Sequence, residues 1–209
     1  EQMEYSWAVA RSYSNLGILA YVIGHWPKAI DYIQRSLVLC QEVGDVAMVA
    51  LTHNNLGHPY RVQGEFDLAE KHFLESLHIS ELFRISDMVV NARSGLAQVY
   101  LCQNRLVEAE DHLVLALSLA QSIGAKEKLA ELLRIQAELS LAKILYDEAL
   151  EEAEMASKMA SAAKAGGTKM IDTSAPVFST ASFTVLKTGL PRCTCPPFPG
   201  VTPPTTLVP

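Results

Sequence analysis

Six histidines, an acidic cluster near residue 150, two thiols one residue apart and a Gly-Gly-Thr-Lys stretch are the groups here whose types can support catalysis or ligand chemistry. A helical metal site needs ligands one turn apart on one face, and no two of His25, His53, His58, His72, His78 and His112 are four residues apart. Their expected places are surfaces and seams between helices. The carboxylates of "YDEALEEAEMA" (146–156) read as a solvated helix face rather than an acid and base pair. "KAGGTK" (164–169) lacks the order of a phosphate-binding loop and follows a helical segment instead of preceding one, so it reads as a helix stop. Cys193 and Cys195 offer two thiolates without further ligands, too few to close a zinc site. No catalytic residue, metal or cofactor is therefore expected, and the chain reads as a non-enzyme.

Composition bounds the remaining classes. A chain of 209 residues that is 49 % hydrophobic can bury a substantial core. Its net charge of −6, with Lys and Arg scattered, gives no basic footprint, so direct nucleic-acid binding is not expected. Cys40 and Cys102 fall in helical patterns and the other two cysteines in a Pro-rich tail, which is not a secreted disulfide framework. No apolar run approaches the roughly 20 residues of a membrane span, and the start resembles no signal peptide. The expectation is a cytoplasmic protein, and the first residue, Glu rather than Met, leaves room for a longer parent chain.

The elements that position these groups come from repetition. A shift of 40 residues superimposes Ala29, Ala69, Ala109 and Ala149. The same shift aligns Trp26, Phe66, Leu106 and Tyr146; Gly17, Gly57, Ala97 and Ala137; and Ile33, Phe73, Leu113 and Ala153. Small residues let helices approach closely, and Gly24, Gly64 and Asn104 suit the left-handed conformation that closes a helix. Gly44 and Gly124 supply the alternate stops, while Asp45 or Asp87 can cap the helix that follows. This predicts helices near 6–23, 26–43, 46–63, 66–83, 86–103, 106–123, 126–143 and 146–164. Pro59 falls inside the third, where it either kinks the helix or is simply tolerated.

In these residues the chain resembles the tetratricopeptide repeat family: Leu56, Gly57, Tyr60, Gly64, Phe66, Ala69 and Phe73 follow its spaced pattern, as do Leu16, Gly17, Gly24, Trp26, Ala29 and Ile33. A third unit keeps Leu96, Ala97, Tyr100, Asn104, Leu106, Ala109 and Leu113, and the fourth retains chiefly Ala137, Tyr146, Ala149 and Ala156. The 40-residue period is longer than the family's usual 34 and resembles the variant in bacterial regulators of the MalT and AfsR type, and in kinesin light chain or the Rap and LGN scaffolds. The resemblance implies an all-α solenoid, a right-handed superhelix of four helix-turn-helix repeats at about 6–44, 45–84, 85–124 and 125–164, with a peptide-binding groove lined by the first helix of each pair. It places at the groove Ser14, Asn15, Ile18 and Tyr21, then Asn54, Asn55, His58 and Arg61, then Ser94, Gln98 and Leu101, then Arg134, Glu138 and Leu141. Asn15 and Asn55 stand out because an amide side chain both donates to and accepts from a peptide backbone. Their alternative role is bonding to a neighbouring helix or to solvent.

The expected function is non-catalytic binding of a peptide or protein domain, with the regulatory arm of a bacterial transcriptional regulator or signalling ATPase as one setting. The alternative is a self-assembly scaffold. "YSWAVARSYSNLGILAYVI" is apolar around most of its circumference, which suits further repeats before it or a homodimer through the end repeat. From 165 to 209 the periodicity stops and Pro and Thr abound, giving a flexible tail with "SFTVLKT" as at most a short strand-like piece. A linker, a docking motif and an out-of-frame stretch all fit it.

Overall fold

Left-handed residues recur every twenty positions and cut the chain into helices. Gly24, Gly44, Gly64, Arg84, Asn104 and Gly124 all have φ between 56° and 83°. Glycine meets this demand without a Cβ penalty and Asn tolerates it, whereas Arg84 carries a side chain in a conformation costing roughly 1–2 kcal/mol. After each of the six, the next amide reaches back five residues to a carbonyl of the preceding helix, from His25 N to Ala20 O at 2.8 Å through to Ala125 N to Ala120 O at 2.9 Å. This closure satisfies the orphan carbonyls of the helix end.

A computed structural model describes residues 2–165. The helices are α1 (Gln2–Val22), α2 (Trp26–Val43), α3 (Val46–Gln63), α4 (Phe66–Leu82), α5 (Ser86–Cys102), α6 (Leu106–Ser122) and α7 (Lys126–Ala165). The expectations for the Pro- and Thr-rich tail, its strand-like piece and its cysteine pair lie outside the described residues. Asp45 caps α3 by accepting from Met48 N at 3.0 Å. Asp87 does not cap α5: Ile85 is the capping residue, no side chain bonds there, and Asp87 lies in the first turn of the helix. Pro59 stays inside an unbroken α3 with its ring fully buried.

The contacts divide the chain within α7, the first unit ending at Gln136 and the second beginning at Ala137. In the first unit, α1 packs on α2, α3 on α4 and α5 on α6 as hairpins, and α2 on α3 and α4 on α5 join successive hairpins. The odd-numbered helices also meet directly, α1 with α3 and α3 with α5, so they form the inner layer of an all-α solenoid. The repeat columns are its core. Ala29, Ala69 and Phe73 are 0 % exposed, Ile33 and Ala109 1 % and Leu113 2 %. Phe73 is held hardest: a Cβ on Gly57 of α3 would lie 2.5 Å from its ring, and one on Gly95 of α5 would also collide with it.

Polar side chains lock the joints between hairpins. Tyr100 donates to Glu70 Oε1 at 2.8 Å, Arg105 Nη1 to Glu70 Oε2 at 3.3 Å and Arg105 Nε to Glu108 Oε1 at 3.0 Å. The Arg105 guanidinium also lies 4.2 Å from the centre of the Tyr100 ring. Burial, followed by the bond to Glu70, pushes the Tyr100 hydroxyl up to about 12.

The fourth repeat departs from the expected hairpin. Instead of helices near 126–143 and 146–164, α7 runs unbroken for 40 residues. Position 144, next in the series of left-handed residues, is Ile, whose β-branched side chain resists positive φ, and its neighbours Lys143 and Leu145 are ordinary helix residues. The fourth members of the repeat columns are correspondingly less covered: Tyr146 is 50 % exposed, and Ala137 and Ala153 are exposed.

Two substitutions test this construction by urea unfolding. Ala69→Arg is expected to cost at least about 1–3 kcal/mol, from overfilling a full site and burying a charge. Arg84→Gly is expected to raise stability by about 0.5–1 kcal/mol by relieving the left-handed strain. Unchanged stability in Ala69→Arg would contradict the packing assigned to that column.

Candidate functional site

The inner layer of α1, α3 and α5 carries most of the residues assigned to the groove. Its geometry sorts them by access. Ser14, Asn54, Arg61, Ser94 and Gln98 are buried at 3–6 % exposure, and Tyr21, Asn55, His58 and Leu101 are half-buried. Asn15 is exposed and Ile18 is 43 % exposed. Arg134 is exposed near the end of the first unit, while Glu138, half-buried, and Leu141, exposed, belong to the second.

Several of these residues meet. Asn55 Nδ2 donates to Ser14 Oγ at 3.4 Å, tying α3 to α1. Asn55 thus bonds a neighbouring helix, while its amide oxygen retains acceptor capacity. The His58 ring sits between Tyr21, 6.2 Å away, and Phe73, 5.1 Å away edge to face. Burial, reinforced by the positive charges of Arg61 and Lys128, lowers the His58 pKa to about 3, so the ring is neutral near pH 7. It can donate or accept one hydrogen bond there and carries no charge to a ligand.

One polar row is deeper than expected. Asn54 and Ser94 occupy the same repeat position on α3 and α5, and both Asn54 Oδ1 and Ser94 Oγ are buried without a hydrogen-bond partner. Asn91 Oδ1 is in the same state, one turn before Ser94. Sequence reasoning missed Asn91, although Asn91, Ser94 and Gln98 form a polar i, i+3, i+7 stripe on a helix otherwise rich in buried apolar residues. An unsatisfied buried acceptor costs about 1–3 kcal/mol, so this row lowers the stability of the inner layer.

A second cluster is structural. His53 and His72 face each other across the α3–α4 hairpin with their Nδ1 atoms 3.0 Å apart, and Tyr60 stacks on His72 at 5.4 Å. Burial first, then the neighbouring His53, lowers the His72 pKa to about 4; burial likewise lowers those of His53 and His112. Among the described residues no three His, Cys, Asp or Glu side chains gather as metal ligands, and no helix is long and apolar enough to cross a membrane.

The tetratricopeptide repeat family profile matches residues 8–82 and again residues 48–122, two placements one 40-residue repeat apart that together span more than half the chain. The chain belongs to the tetratricopeptide repeat family. The matched residues cover α2 to α6 and most of α1, which is the hairpin array with its inner layer. Tetratricopeptide repeats are protein-interaction modules. No curated protein matched the chain.

The half-buried histidines of these repeats are expected to make stability depend on pH. In the unfolded chain their pKa values return to about 6.5, so between pH 6.5 and about 4 the unfolded state binds protons that the folded state refuses. Stability is expected to be flat above about pH 7 and to fall as the pH drops toward 5, by at most about 1.4 kcal/mol per pH unit for each such group. His58→Phe should flatten that slope in urea titrations. A wild-type midpoint unchanged from pH 7.5 to 5 would contradict the burial of these rings.

Proposed function

We propose that this tetratricopeptide repeat array binds an extended peptide segment of a protein partner along the inner face of α1, α3 and α5, without catalysing a reaction on it. The observation that carries the proposal is the accessible part of the inner layer, where Asn15 and Ile18 are exposed on α1 and half-buried Asn55 and His58 of α3 contact Ser14 and Tyr21 of α1. An extended peptide presents N–H groups at regular intervals, and amide and hydroxyl side chains recognise its backbone with little regard for its sequence. Asn15 grips the backbone, Ile18 and Tyr21 cover an apolar side chain, and neutral His58 adds one hydrogen bond.

Arg134 supplies a positive group for a ligand carboxylate. The period of 40 residues is like that of MalT- and AfsR-type regulators, which suggests the sensing arm of a larger cytoplasmic regulator as the setting. In that setting the protein, not the array, would contact nucleic acid.

Recovery of partners with the full chain as bait, followed by titration of a recovered partner, tests the reading. The double variant Asn15→Ala, Asn55→Ala is expected to weaken binding by about tenfold or more, with a melting temperature within a few degrees of wild type, since each amide contributes about 0.5–1.5 kcal/mol. Equal retention of the partner by the double variant would remove these residues from the site.

A further inference from the structure

The charges of the hairpins are sorted between their two layers. From Tyr5 onward α1 carries no acidic residue, α3 carries none, and α5 has only Asp87 in its first turn. The basic residues of these inner helices are Arg11, Arg61 and Arg93. The outer helices reverse the balance: α2 carries two carboxylates, α4 four and α6 three, against Lys28, Arg35 and Lys71. An acidic protein therefore has an inner layer short of negative charge.

The cations of that layer differ in what meets them. Arg93 is neutralised by Glu81 of α4 at 2.7 Å, whereas no carboxylate of the described residues pairs with Arg11. Arg11 is exposed, its guanidinium 5.3 Å from the centre of the Trp7 ring. The Asp45 carboxylate, which also meets Trp7, accepts from Trp7 Nε1 at 2.9 Å and from Met48 N at 3.0 Å. Arg11, Asn15 and Ile18 are four and three residues apart, so the guanidinium shares a helix face with the amide and the apolar side chain of the groove. Arg61, 6 % exposed, adds its charge from within the layer. The charged groups that act on the His58 ring are Arg61 and Lys128, both positive. His53, facing α4, and His112, on α6, feel carboxylates as well: Glu75 acts on the first, and Asp111, Glu70 and Glu81 on the second.

Resting on the reading of this face as a peptide groove, we propose that the partner segment is acidic, an extended stretch with Asp or Glu about three residues from an apolar side chain. Arg11 takes the carboxylate, Asn15 the backbone and Ile18 the apolar group. Arg11 and Ile18 are separated by about 10.5 Å along α1, which an extended chain covers in about three residues. The field that draws such a segment repels a basic one, so charge selects among peptides that the amides of Asn15 and Asn55 would accept alike.

Retention of blocked peptide pools on the immobilised full chain tests this. The pools share their apolar positions and carry Glu, Gln or Lys at the others. At low salt the Glu pool is expected to be retained at least about tenfold better than the Gln pool, with the Lys pool last, and added salt should erase most of the difference. Arg11→Gln should lower retention of the Glu pool by about threefold to fivefold and leave the Gln pool unchanged. Arg35→Gln, which removes the same charge from α2, should alter neither. Equal retention of the Glu and Gln pools, still lost in the Asn15→Ala, Asn55→Ala double variant, would leave the groove in place and overturn its acidic preference. A Glu pool indifferent to Arg11→Gln would also overturn the proposal, and retention of no pool would overturn the groove with it. A single-stranded oligonucleotide that displaces the Glu pool as well as free Glu peptides do would make this a site for polyanions at large and overturn its assignment to a peptide.

Discussion

Phe73 is the point on which the array depends. Its ring comes from α4 and lies where a Cβ on either Gly57 of α3 or Gly95 of α5 would have to be. The same side chain therefore closes its own hairpin and seats the next one, so the contact within a hairpin and the contact between hairpins meet in one aromatic ring. Gly17 and Ile33 make the corresponding closure in the first hairpin, but no glycine of the next inner helix joins them. Glycine weakens a helix by roughly 1 kcal/mol relative to alanine, and here the close approach of a fully buried ring offsets that weakness.

The second constraint is rhythm. A left-handed residue every twenty positions turns the chain back on itself, and each turn closes with the same backbone bond. Where the residue type permits, the hairpin forms; at Ile144 it does not, and α7 continues. The inner layer follows from this rhythm, because successive turns bring α1, α3 and α5 to one side of the first unit. Exposure along the inner layer is then set by position: the row at 14, 54 and 94 becomes buried, while Asn15 and Ile18 stay exposed.

Much of this was legible from residue types at fixed intervals. The six helices from α1 to α6 end within a residue or so of the expected boundaries, since Gly24, Gly44, Gly64, Asn104 and Gly124 announce their own conformation. Arg84 did not announce itself, because only its place in the series, and not its chemistry, marks it as left-handed. The unbroken α7 was missed for the opposite reason: the columns Tyr146 and Ala149 continue the repeat, but the turn that would exploit them lacks its residue. The clash partners of Phe73 were half visible. Gly57 stood in a repeat column, whereas Gly95 takes the place held by Asn15 and Asn55 in earlier repeats and betrays its role only when α4 and α5 are brought together. The site was legible as a set of helix positions, but not as a depth. Burial of Asn54, Ser94 and Arg61 depends on how tightly inner helices approach, which spacing alone does not give.

A double-mutant cycle on Phe73 and Gly95 tests the seating of one hairpin on the next most directly. Gly95→Ala alone should destabilise the chain by about 1–3 kcal/mol despite the better helix propensity of alanine. In a Phe73→Leu background, where the smaller side chain leaves room for the methyl group, the same change should cost far less, giving a coupling of about 1–3 kcal/mol in urea unfolding. Additivity of the two substitutions within about 0.5 kcal/mol would mean that the ring and the glycine do not meet, and would contradict the account.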